Sequence, residues 1–458
     1  MPDLFIEKKS AVEADSSRLW LKVLSLAWPI VVEQMLMVSV NLVNVYMIGR
    51  LDSSDALAAV GIAGETAMMP MFIIMGISVG TTVIVARYIG ARDPEQVNSA
   101  LRQSIIMAVL IGLVSTTVVW LFAEPLMRLF RATDDVVVQG ASYNRGYAST
   151  YAFAMIVYVG NAALRGTGDT RTPMLVMWAI NLVNAFLGWV LIFGNLGAPR
   201  MEITGAGLAA GIARGVGGII VLAILIRGKG FLKYDIRQAF RVERQMLKRL
   251  LIVGVPAAIE QGQRRGAMMI YSIIIFNLGK IVQAAYAVGM KVESMAFMPG
   301  MGFGKAAEVM MGHGLGASRP EIAKRAVRIA ALYAAIVMTI MGITTFIFGA
   351  QFLSLFSSDP EVIRLGHLYM KVFAIGMPLM GIGNAISGGL RGAGDTRWVM
   401  LLASVGPWIF RIPIGFIFSV WYPMGPQGAW SGAVTDWMVR GVLVLLRYRT
   451  GHWMNITV

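Results

Sequence analysis

Cysteine is absent from the 458 residues, and histidine occurs only at His313, His367 and His452. Disulfides, thiolate metal sites and cysteine nucleophiles are thereby excluded, and three scattered imidazoles make no metal cluster. Charge is scarce as well. Asp, Glu, Lys and Arg make up 14% of the chain, against about 25% in a soluble domain. There is no G-x-x-x-x-G-K-[ST] loop to bind ATP, which leaves an ion gradient as the expected energy source. No cofactor is expected. The polar stretch Met1 to Arg18 is not expected to be a cleavable leader, and the first span is expected to be its own targeting signal.

What the chain does have is apolar sequence: 57% of residues are hydrophobic. They fall into runs of about 18 to 25 residues, each long enough to cross a bilayer of about 30 Å. Twelve spans are expected, at 23–49, 56–82, 103–123, 146–164, 173–194, 204–226, 250–277, 283–310, 327–349, 368–389, 398–420 and 428–446. The net charge of +15 could suggest a nucleic-acid partner. The Lys and Arg residues, however, concentrate in alternate connections, as cytoplasmic loops of membrane proteins do. Both termini are therefore expected in the cytoplasm, in a monomer of a bacterial inner membrane. The tails are 1–22 and 448–458, the lobes 23–227 and 250–447. Between the lobes lies a cytoplasmic basic linker, 228–249, with Lys229, Lys233, Arg237, Arg241, Arg244, Lys248 and Arg249.

The chain repeats itself at an offset of about 226 residues. Leu164-Arg165-Gly166-Thr167-Gly168-Asp169-Thr170-Arg171 recurs as Leu390-Arg391-Gly392-Ala393-Gly394-Asp395-Thr396-Arg397. Ile89-Gly90-Ala91-Arg92-Asp93-Pro94-Glu95 recurs as Leu315-Gly316-Ala317-Ser318-Arg319-Pro320-Glu321, and Pro29 to Gln34 recurs as Pro256 to Gln261. Six spans per copy is an even number, so both copies enter the membrane from the same side. The expected fold is all-α and polytopic, with two six-helix lobes related by pseudo-two-fold symmetry, as in secondary transporters built from parallel repeats. The Gly-rich copies follow helices rather than strands, so they read as helix-terminating turns and not phosphate cradles. Arg165 and Arg391 are expected to anchor those turns at the interface, with Asp169 and Asp395 capping the next helices.

In these loops, in Met298-Pro299-Gly300-Met301-Gly302-Phe303, in Gly312-His313-Gly314-Leu315-Gly316-Ala317, in Arg411-Ile412-Pro413 and in Gly428-Ala429-Trp430, the sequence resembles the multidrug and toxic compound extrusion (MATE) family. The resemblance implies a V-shaped cavity between two lobes and export of small amphipathic, often cationic, compounds in exchange for H+ or Na+. One branch of the family couples through N-lobe aspartates. At those positions this chain has Asn44 and Gly188, which speaks against that route. The branch using C-lobe acids keeps a carboxylate in span 7, which Glu260 can supply, whereas Asn384 is the polar residue of span 10.

Ionisable residues at membrane depth are costly, and usually line a cavity or pair with one another. Glu33 and Glu260 sit at matching repeat positions, each followed by a glutamine, Gln34 and Gln261. Asn44 and Tyr271 return to nearly the same helical faces, and Asn184 adds a polar group in span 5. One carboxylate that can hold a proton, Na+ or a cationic drug in turn is sufficient for antiport. The competing reading of Glu260 is a structural pair with Arg264, one turn away. Glu65 and Glu293 form a second repeat-matched pair, read as local ion pairs with neighbours such as Lys291. Lys305 and Glu308 are read the same way, and Asp436 is placed to pair with Arg411. Met37, Met68, Met69 and Met298, with Tyr271, are candidate ligand contacts. The cations Arg264, Arg265, Lys291 and Lys305 leave open an anionic or zwitterionic substrate, and a lipid-linked sugar flippase of related architecture is the nearest rival.

Overall fold

The computed structural model describes residues 18–51, 54–130, 132–422 and 424–456. Most of the expected N-terminal tail, and the last two residues of the C-terminal one, lie outside them. The described chain is helical throughout: α1 (Leu19–Ile48), α2 (Ser54–Met68), α3 (Met71–Gly90), α4 (Pro94–Leu129), α5 (Asp134–Ala148), α6 (Tyr151–Gly166), α7 (Arg171–Phe193), α8 (Glu202–Arg227), α9 (Arg244–Phe276), α10 (Lys280–Gly316), α11 (Pro320–Ser354), α12 (Pro360–Gly392), α13 (Thr396–Val405), α14 (Ile412–Phe416) and α15 (Pro426–Arg449). These helices supply the twelve spans. Among the described residues, nine helical stretches are long and apolar enough to cross a membrane.

The differences from the expected spans have local causes. Span 2 is split between α2 and α3 at Met69 and Pro70, where proline interrupts the amide ladder. Span 4 is split between α5 and α6 at Ser149 and Thr150. Span 11 runs through α13, a π turn at Gly406–Arg411, α14 and a second π turn at Ile417–Trp421. Several helices run well past their apolar window: α4 starts at Pro94, capped by the Asp93 carboxylate on the Gln96 amide, because polar ends can leave the bilayer still helical.

Two compact units emerge. One holds Val32–Val85 and Asp93–Gly254; the other holds Ala86–Arg92 and Val255–Val458 together with α1 as far as Val31. In the first, α5, α6 and α7 pack on α8, and α4 packs on α5 and α6. In the second, α10, α11 and α12 pack on one another and α15 packs on α12. Small residues make this possible, since helices in lipid associate by close backbone approach. A Cβ on Gly388 of α12 would collide with the Gly304 carbonyl of α10, so glycine is required where those helices cross. The repeated motifs fold alike. Gly168 and Gly394 both take φ of 90°, and the amides of Asp169 and Asp395 reach back to the Leu164 and Leu390 carbonyls at 3.0 and 2.9 Å. This is a Schellman-type helix end. Arg92 and Ser318, in the other copied loop, likewise share positive φ, 58° and 56°.

Candidate transport site

Two of the copied motifs meet inside each unit. In the first, Arg165 at the end of α6 donates to Glu33 of α1 at 2.6 Å, both side chains buried. In the second, Arg391 at the end of α12 donates to Glu260 of α9, also at 2.6 Å. Arg264 reaches the same Glu260 oxygen at 3.4 Å. The expectation of interfacial anchors is corrected here: Arg165 and Arg391 turn inward. A helical side chain leans toward its own N-terminus, and at the last turn of α6 or α12 that direction leads back along the helix to the acid. Asp395 is also corrected, since it caps nothing and pairs with Arg447 at 2.9 Å. Asp169 does take the Thr172 amide, at 3.1 Å, and Lys229 of the linker lies 2.6 Å from its carboxylate. Burial opposes ionisation of Asp169, but the hydrogen bonds from Lys229 and Thr172 outweigh it and hold its pKa below the ordinary carboxylate value.

The remaining candidates separate by unit. In the first, Asn184 of α7 donates to Asn44 of α1 at 2.9 Å, both buried. Gln34 is half-buried and Glu65 exposed. In the second unit the expected pair forms: Arg411 Nε lies 3.0 Å from Asp436. The π turn ending at Arg411 carries it there, and Gly406 at its start abuts the Asp436 carboxylate. Glu293 accepts a hydrogen bond from the Tyr369 hydroxyl, and no cation among the described residues lies within ion-pairing distance of it, so its expected local ion pair is corrected. Lys291 lies over the Phe356 ring instead, at 5.6 Å.

Tyr271 is in the core, its hydroxyl donating to the Ala429 carbonyl at 2.8 Å and its ring edge-on to Tyr286. Met298 is likewise buried, Met37, Met68 and Gln261 are half-buried, and Met69 and Arg265 are exposed. Sequence reasoning missed Tyr369, Trp437 and Arg440. For Arg440 a signal existed, because it follows Asp436 by one helical turn.

A cavity of about 180 Å³ lies within the second unit, lined by Met268, Met290, Phe297 and Trp437 together with Glu293, Arg411 and Arg440. Apolar walls with a few converging polar groups are the usual form of a small-molecule site. Among the described residues no group of His, Asp and Glu is placed to hold a metal ion.

Comparison with known proteins agrees with this architecture. The MatE family model matches residues 29–190 and 256–417, one match in each repeat. A probable multidrug resistance protein NorM of Thermotoga maritima is 28% identical over 440 residues, covering 94% of this chain and 92% of that protein. The multidrug resistance protein PmpM of Pseudomonas aeruginosa is also 28% identical, over 93% of this chain and 90% of its own. A crystal structure of MATE in complex with MaL6 superposes with a TM-score of 0.90 at 22% identity, covering 97% of this chain and 99% of that one.

Proposed function

Because this chain belongs to the MatE family and is a multi-pass membrane transporter, we propose that it is a secondary antiporter. In this reading it exports small amphipathic organic compounds, often cationic, and is driven by inward H+ or Na+. Its termini and basic linker face the cytoplasm of a bacterial inner membrane. The names of the relatives from Thermotoga maritima and Pseudomonas aeruginosa support the multidrug part of the reading.

One observation carries the assignment of the coupling group. Glu260 is held by two arginines, whereas Glu293 faces a small-molecule-sized cavity with only a neutral hydroxyl on it. A carboxylate locked between guanidinium groups has its charge already matched. Glu293 can exchange a proton, Na+ or a cationic substrate without first breaking an ion pair, so it is the acid on which ion and substrate compete. Glu260 and Glu33 hold helix ends together.

The test is ethidium transport in inside-out vesicles under separately imposed pH and Na+ gradients. Wild type should transport under one gradient, Glu293→Gln should lose that dependence, and a properly folded Glu260→Gln should keep it. Ion-driven transport surviving intact in Glu293→Gln would remove Glu293 from the coupling role. No ion-driven transport by folded wild type would overturn the antiport reading.

A further inference from the structure

Next to the larger cavity lies a second one in the same unit, with room for about one water molecule. It is lined by Glu260, Arg264, Asn384, Arg391, Trp437 and Arg440 among others. Its lining is unequal in charge: three guanidinium groups against one carboxylate. That carboxylate is already taken by hydrogen bonds from Arg391 and Arg264. What remains are donors. Trp437 is 8% exposed and its indole N–H has no partner. Arg264 Nε has none either. Arg440 is 7% exposed; it pairs loosely with Asp436 at 3.7 Å, an acid that Arg411 already holds at 3.0 Å, and its guanidinium lies 3.8 Å over the Trp437 ring, while no described residue accepts a hydrogen bond from it. A buried guanidinium and indole left without acceptors are costly, and a surplus of positive charge at membrane depth is costlier.

We propose that this cavity binds a single small inorganic monoanion of the chloride class, held by Arg440, Arg264 and the Trp437 indole. Water is the ordinary occupant of a polar cavity of this size, but it would leave the charge surplus uncompensated. A monatomic anion accepts from all three donors at once and matches the surplus. Sulfate and organic carboxylates are too large. The ion would act as a fixed counter-charge that holds Arg440 and Trp437, which also line the larger cavity. The anion is neither the transported compound nor the coupling ion, so its binding stands or falls independently of the antiport assignment, although Arg264, Arg440 and Trp437 line both cavities.

The experiment uses the purified full-length protein in one detergent at constant ionic strength, exchanging sodium gluconate for sodium chloride or bromide. Chloride and bromide should raise the unfolding temperature saturably, as a ligand of the native state does, and gluconate should not. Arg440→Gln should raise the half-saturating concentration about tenfold or more, since it removes a charged hydrogen-bond donor. Equal unfolding temperatures in chloride and gluconate would overturn the proposal, as would a chloride shift unchanged in Arg440→Gln. Should that variant not fold, crystals of the wild type grown in bromide decide the matter. An anomalous peak beside Arg440 and Trp437 is expected, and its absence, leaving water only, would equally overturn the site.

Discussion

The Glu33–Arg165 pair is open to a double-mutant cycle, because it is buried and has a simple set of partners. Its atoms lie 2.6 Å apart, with 1% of the Glu33 side chain and 8% of the Arg165 side chain exposed. Glu33→Gln leaves a buried guanidinium without its counter-charge. Arg165→Met leaves a carboxylate whose second oxygen already has no hydrogen-bond partner. Breaking a buried pair from one side costs about 3–5 kcal/mol, whereas replacing both members by well-packed hydrophobic groups is close to neutral. Each single variant should therefore lose about 3–5 kcal/mol, and Glu33→Gln/Arg165→Met should lose less than either, since only the unpaired amide at position 33 remains to cost about 1–3 kcal/mol. The readout is thermal unfolding of all four proteins in a single detergent, followed by tryptophan emission. Single losses below about 1 kcal/mol that add to within about 0.5 kcal/mol would show no coupling, and would refute the claim that the repeated motifs are pinned by this contact.

Acidification should loosen the linker clasp. The Asp169 pKa is lowered in the fold, so its contribution is present above the unfolded value and is lost as pH falls through the folded one. Amide hydrogen-exchange protection around Lys229, relative to the intrinsic rate at each pH, should fall at pH values below the ordinary carboxylate range, and Asp169→Asn should show that lower protection already at neutral pH. Lys229 is half-exposed, so the effect on global stability should stay below about 1 kcal/mol. Trp453→Ala should cost about 3–5 kcal/mol, measurable as a lower unfolding temperature. The ring is fully buried, stacks on Tyr448 at 5.2 Å and donates to the Tyr448 carbonyl at 2.8 Å.

The span number, the duplication and the helix-ending turns were legible because each rests on local signals: apolar length, copied sequence and glycine ahead of aspartate. The acids Glu33 and Glu260 were legible as buried charges in apolar runs. Their partners were not, although Arg165 and Arg391 stand in the most visible motif of the chain. Position next to a loop suggests an interface, and only the lean of the side chain back along its helix brings the guanidinium to a residue 132 positions distant in one unit and 131 in the other. Tyr369 carried no signal, since the contact that matters is with α10, far away in sequence. Tyr271 shares a face with Glu260, yet it ends in an aromatic core because periodicity gives a face without saying what covers it.

The two π turns around α14 have a consequence for what insertions and deletions the span can tolerate. Such a turn carries one residue more than an α-helical turn of the same span. The extra residue is absorbed within the turn, so removing one between Gly406 and Arg411 would close the bulge and leave the flanking side chains facing as before, whereas removing one from the α-helical stretch Thr396–Val405 ahead of it would swing every later side chain by about 100° around the axis. Arg411 would leave Asp436, and the 180 Å³ cavity would lose one of its charged walls. The length of this stretch is therefore as much a part of the site's specification as the identity of its arginine, and a deletion that touches no charged residue would erase the pair as surely as Arg411→Ala.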